Sequence, residues 1–150
     1  MRTALADSMP VRRYRDLRTW RLTEEFKSFV FKLLAKSDAA NRNLKYRDQL
    51  IGSSAGPSKH VAEGFLRFNP VEFCRFLDYA VSAIGETEND LKDGISQGYF
   101  KAADCTQGFA LAVRCTKSIL SLKASQRRYI EEHGRGQPPI RKRRAPPTAS

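Results

Sequence analysis

The stretch Gln49–Phe76 most constrains what this chain can fold into. It reads QLIGSSAGPSKHVAEGFLRFNPVEFCRF and changes character at Gly64. Before that glycine come small residues, Gly52, Ser53, Ser54, Ala55, Gly56, Ser58 and Ala62; after it come Phe65, Leu66, Phe68, Phe73 and Phe76. Small side chains at helical spacing let a second helix approach closely, and the aromatics then supply buried area. Asn69-Pro70 has the form of an N-cap followed by proline at the first helical position, so one helix ends near Phe68 and another starts at Pro70. The stretch predicts a tight helix–helix corner.

Helical periodicity extends that corner in both directions. Leu17, Trp20, Phe26, Phe29, Val30, Leu33 and Leu34 recur at 3.6-residue spacing after a candidate N-cap at Asp16, with Phe31 off the stripe. Ser37–Asn43 reads as a turn. The second helix is expected over about Leu44–Phe68 with a kink near Pro57 that packing tolerates, a break into two helices being the alternative, because an internal proline costs roughly 3 kcal/mol. The third, Pro70 to about Gln97, carries Phe73, Phe76, Leu77, Ala80, Val81, Ile84, Leu91 and Ile95, with Gly98 as its C-terminal glycine and Glu86, Asp90 and Asp93 as an acidic stripe. A fourth runs from about Ala102 to Ile130, with Phe109, Val113, Ile119, Leu120 and Leu122 as its apolar residues. No strand pattern and no internal repeat is visible. The expectation is an all-α fold, an antiparallel up-down four-helix bundle over residues 14–130, between a flexible N-terminus (1–13) and a disordered basic tail (131–150) that is rich in proline and glycine.

Charge narrows the function classes. The chain carries +11 at pH 7 over 150 residues. Residues 1–15 hold +3 and residues 131–150 hold +3, leaving +5 in the body. A basic surface favours polyanions through phosphate contacts and counterion release. The candidate nucleic-acid-binding residues are Arg42, Lys45 and Arg47 at the start of the second helix, Arg114, Lys117, Arg127 and Arg128 on the fourth, and Arg141, Lys142, Arg143 and Arg144 in the tail. Arg18, Arg21 and Lys32 read equally well as an ordinary solvated face. No aromatic-interleaved RNA motif is present, so base-specific reading is not expected.

Catalytic chemistry finds little here. Gly52–Gly56 lacks the Gly-Lys-Ser/Thr of a phosphate loop. His60 and Glu63 stand at i, i+3, but His133 is the one other histidine, which leaves too few metal ligands. Glu63 and Arg67, at i, i+4, form a candidate surface pair. Cys74, Cys105 and Cys115 are odd in number without CxxC spacing, as expected of buried, reduced thiols in a cytoplasm. No apolar run reaches the ~20 residues of a membrane span. The expectation is a non-enzyme without cofactor or metal.

Three segments resemble one family, the small bacterial helical proteins of 23S ribosomal RNA intervening sequences. Tyr14–Trp20 is similar to its aromatic-x-Asp-Leu-x-x-Trp opening. Gln49-Leu50, Val61-Ala62-Glu63-Gly64 and Arg67 resemble its central QL…(N)IAEG…R motif, and Glu72-Phe73, Phe76-Leu77, Ala80, Ser82 and Glu86 its next helix. Gly56-Pro57 stands where the family has Ser-Ile, and His60 where it has Asn. The resemblance implies a four-helix bundle assembled as a ring-like homopentamer, without enzymatic activity. It also implies a relation in fold to accessory proteins of diversity-generating retroelements, which engage nucleic acid and a reverse transcriptase. Two functions follow as expectations. One is an oligomeric bundle binding RNA, DNA or a nucleic-acid enzyme complex; the other is a protein–protein interaction module, using Glu86, Asp90 and Asp93, that binds no nucleic acid.

Overall fold

A computed structural model describes residues 11–134, so the N-terminal ten residues and the run Arg141–Arg144 lie outside the described residues. A short 3-10 turn, Tyr14–Asp16, precedes five helices: α1 (Arg18–Ala35), α2 (Asp38–Arg42), α3 (Leu44–Leu66), α4 (Pro70–Ser96) and α5 (Ala102–His133). No strand occurs among the described residues. Helix α1 packs on α3 and α5, and α4 packs on the same two. Cross-contacts run antiparallel in three of these pairs. Thr19 meets Ser118 while Phe29 faces Gly108 (α1–α5); Ser53 meets Asp90 while Gly64 faces Phe73 (α3–α4); Lys123 meets Asp78 while Gly108 faces Leu91 (α4–α5). Phe26, Leu50, Phe65, Phe73, Leu77, Ile84, Leu91 and Ile119 are fully buried in a shared core, each contributing roughly 1.5–3 kcal/mol.

The boundaries differ from the sequence reading where local hydrogen bonds decide. Leu17, not Asp16, is the N-cap of α1 and makes no side-chain cap bond. Ser37–Asn43 is more than a turn. The Ser37 Oγ caps α2 by accepting from Ala40 N, and Asn43 Oδ1 caps α3 by accepting from Tyr46 N. Asn69 caps α4 as expected, accepting from Val71 N and Glu72 N, with Pro70 following. Gly98 adopts φ +78 just past α4. Helix α5 continues to His133, three residues into the segment expected to be unstructured.

Helix α3 runs unbroken through Pro57. Its Ser53 carbonyl loses the N–H that a non-proline residue would offer, and burial of Pro57 against the core offsets that loss. The close approach to α4 is real at two glycines. A Cβ on Gly56 would lie 2.9 Å from Ala83 Cβ, and one on Gly64 2.6 Å from Phe76 Cβ and 2.9 Å from Phe73 Cδ1. Gly52 faces open space and plays no part in it. At the end of α3 Phe68 takes a left-handed φ of +53, a conformation that costs a side-chain-bearing residue roughly 1–2 kcal/mol.

The acidic stripe does not exist as such. Glu86 and Asp93 are exposed, but Asp90 is 3% exposed and faces α3. It accepts hydrogen bonds from Ser53 Oγ (2.8 Å) and Gln49 Nε2 (3.0 Å), while the Tyr46 hydroxyl donates to its backbone carbonyl (2.6 Å). The expected Glu63–Arg67 pair also does not form. Glu63 Oε2 lies 3.8 Å from His60 Nδ1, and the Arg67 guanidinium stacks over the Phe76 ring at 5.1 Å. The three cysteines are free, two of them buried, and burial pushes the Cys115 thiol up to about 12, so it stays protonated.

Two outcomes test this packing. Gly64→Ala should cost about 1–3 kcal/mol in urea unfolding, since Phe76 Cβ is fixed to the α4 backbone and Phe73 is buried in the core; an unchanged midpoint contradicts the close approach. Burial raises the Asp90 carboxyl, with the hydrogen bonds from Ser53 and Gln49 opposing and Asp93 reinforcing the rise. The folded state therefore holds that proton more tightly than the unfolded one. The group's contribution to stability is largest at low pH and falls as pH climbs from the unfolded value of 3.8 through the folded pKa. Thermal melts should show wild type losing stability relative to Asp90→Asn over that window, and a constant difference between the two contradicts it.

Candidate nucleic-acid interface

The antiparallel α1–α5 pair determines which basic residues meet. Ser118, Ser121 and Ser125 stand at i, i+3 and i+7 on α5, and Arg114, Lys117 and Arg128 continue the same stripe at either end. Across from it α1 begins with Arg18, Thr19 and Leu22. Serine and threonine are too short to fill the seam, so a groove of about 640 Å³ remains, floored by Leu17, Leu22 and Leu122. Its rim carries four cations, Arg18, Arg114, Lys117 and Arg128, and its walls carry hydroxyls; no carboxylate lines it. The Thr19 and Ser118 hydroxyls hydrogen-bond across the seam at 2.8 Å and fix the spacing of the helices there.

The four cations are available for a ligand. All are exposed, and among the described residues none makes an ion pair with a carboxylate. Lys123, one face round on α5, differs: it pairs with Asp78 of α4 at 2.6 Å. Unpaired guanidinium and ammonium groups beside hydroxyl donors suit phosphate oxygens, which accept charge-assisted hydrogen bonds.

The remaining sequence-predicted residues fall elsewhere. Arg127 lies on another face of α5, beside Val71, Cys74, Ile130 and Glu131, at a hollow of about 320 Å³. Arg42 and Lys45 are exposed near the α2–α3 junction. Arg47 is tied down locally, its Nε donating to Asn41 Oδ1 (3.2 Å) and its Nη1 to Asp48 (3.3 Å). None of the three lines the groove. Arg141, Lys142, Arg143 and Arg144 lie outside the described residues. Sequence alone does not separate Arg18 from a solvated face, and it does not single out the serines. Their i, i+3, i+7 spacing in phase with Arg114 and Arg128 was the signal that joins them.

The family model of the 23S rRNA-intervening sequence protein matches residues 15–121, which span the Tyr14–Trp20 segment from Arg15 on, the central motif and most of the groove. No curated protein and no solved structure matches the chain. The groove's geometry gives a stability test of its own. Thr19→Val keeps the shape but leaves the Ser118 hydroxyl without its partner, and should lower stability by about 1 kcal/mol. A double cycle with Ser118→Ala should recover most of that loss; simple additivity of the two costs contradicts a direct bond.

Proposed function

The chain belongs to the 23S rRNA-intervening sequence protein family, and we propose that it is a non-enzymatic, cytoplasmic protein that binds nucleic acid through the α1–α5 groove. The observation that carries this reading is the set of four unpaired cations, Arg18, Arg114, Lys117 and Arg128, interleaved with hydroxyls and free of carboxylates. The family's name refers to an intervening sequence of 23S rRNA, and we take this to favour RNA as the polyanion, free or within a complex with a nucleic-acid enzyme. Contacts of this kind grip phosphates and leave base sequence largely unread. Arg127 and the run Arg141–Arg144 add general electrostatic attraction, whereas Arg47 belongs to the local scaffold.

The finer architecture is part of the same proposal. Antiparallel neighbours with α3 and α5 each between α1 and α4 suit an up-down four-helix bundle. Val113 and Leu120, 51% and 48% exposed on α5, suit contacts between copies in a ring-like homopentamer, which would repeat the basic groove around the assembly. A pentamer should sediment with five times the 17.0 kDa of one chain; a monomer contradicts the ring. The interaction-module alternative loses support, because Asp90 is buried and its acidic stripe shrinks to Glu86 and Asp93.

The test is single-stranded RNA binding by anisotropy across a salt series, for wild type and Arg114→Ala/Lys117→Ala/Arg128→Ala. Each lost phosphate contact removes about 0.7 from the log–log salt slope on a single strand, so the triple variant should lose about 2. An unchanged slope and affinity in a variant with native helicity contradict the groove as the site.

A further inference from the structure

The α1–α5 seam has a second cavity at its other end, where α1 finishes and α5 begins. Its volume is about 620 Å³, within the range of small-ligand pockets. Three lysines surround it, Lys32 and Lys36 near the end of α1 and Lys101 just before α5, against one carboxylate, Asp104. Among the described residues none of the three lysines is engaged in an ion pair. Their surroundings are not those of an ordinary solvated face, because the wall they stand on is aromatic: Phe29, Tyr99 and Phe100.

Tyr99 is a braced platform. Its ring lies 4.9 Å from that of buried Tyr46, its hydroxyl accepts from Asn43 Nδ2 (2.9 Å), and its carbonyl accepts from Ser37 Oγ (2.9 Å). The side chain is half-buried, held by the core while it lines the cavity. A small inorganic anion would use the lysines and leave the aromatic wall idle. A ligand with a flat apolar ring and a phosphate uses both, since bases stack on aromatic faces while lysines neutralise the backbone.

We infer that this cavity is a subsite for one nucleotide of a single-stranded nucleic acid, its base stacked on the Tyr99 side of the wall and its phosphate held by Lys32, Lys36 and Lys101. The inference rests on reading the chain as a nucleic-acid binder, but it names a site separate from the basic groove. The two lie on one path. Arg18 to Lys32 is fourteen residues of α1, about 21 Å at 1.5 Å per residue. A stacked strand rising about 3.4 Å per nucleotide covers that span with about six nucleotides. A shorter strand reaches one station only.

The test uses a 5′-phosphorylated trinucleotide of uridine and a 5′-phosphorylated uridine decamer, with inorganic phosphate and decyl sulfate as competitors. Wild type, Lys32→Glu/Lys36→Glu, Lys32→Arg/Lys36→Arg, Tyr99→Leu and the groove triple variant are compared, each checked for native helicity. Trinucleotide binding should fall at least tenfold in Lys32→Glu/Lys36→Glu, survive in the arginine pair and weaken about tenfold in Tyr99→Leu. The groove variant should keep trinucleotide binding and lose affinity for the decamer. If the groove variant binds the decamer as wild type does while the lysine variant still loses the trinucleotide, the groove reading fails and this subsite stands. Full trinucleotide binding by the Lys→Glu pair overturns the subsite. So does displacement of the trinucleotide by phosphate at equal concentration, which marks a bare anion site, or by decyl sulfate, which marks an acyl pocket.

Discussion

The rest of the structure depends on the close approach of α3 to α4. At Gly56 and Gly64 the absent side chains bring the helices so near that a single added carbon would enter Ala83 or Phe76. That contact fixes the register of the antiparallel pair. In that register Asp90 falls opposite Ser53 and Gln49, where a buried carboxylate can be satisfied. Interior charge is costly unless its hydrogen bonds are made, so the network penalises any slide of one helix along the other. The pair then presents one continuous apolar side, on which α1 and α5 close the core.

Because α3 and α4 supply the scaffold, the outer seam of α1 and α5 is free to be polar. Around Thr19 and Ser118 its residues are short where the helices meet and long and basic at the rim, which leaves an open groove there in place of a filled interface. The hydroxyl pair Thr19–Ser118 holds the seam without filling it. The chain's positive charge is thus divided by bonding as well as by position. Lys123 is consumed in an ion pair to α4 and Arg47 in local bonds, whereas Arg18, Arg114, Lys117 and Arg128 are left toward solvent.

Helix content, the Asn69-Pro70 start and the Gly98 stop were legible in the sequence, because caps and periodicity act over a few residues. The path of α3 through Pro57 was legible only as the preferred of two alternatives, since it depends on tertiary burial that outweighs a local penalty. Asp90 was misplaced for a related reason. Spacing of i, i+4 and i+7 puts it in line with Glu86 and Asp93, but the partners that draw it inward lie some forty residues earlier. Of the site, Arg114, Lys117 and Arg128 were legible as a basic face. Arg18 was not separable from other surface arginines until α1 and α5 were seen to run antiparallel.

The central claim is that nucleic acid lies along the α1–α5 seam, and covalent lysine and arginine labelling, read by mass spectrometry with and without single-stranded RNA, tests it most directly. The account predicts protection of Arg18, Arg114, Lys117 and Arg128, with Lys59 and Arg75 on α3 and α4 labelled as before. Protection confined to α3 and α4, or none at RNA concentrations that saturate binding, would contradict it.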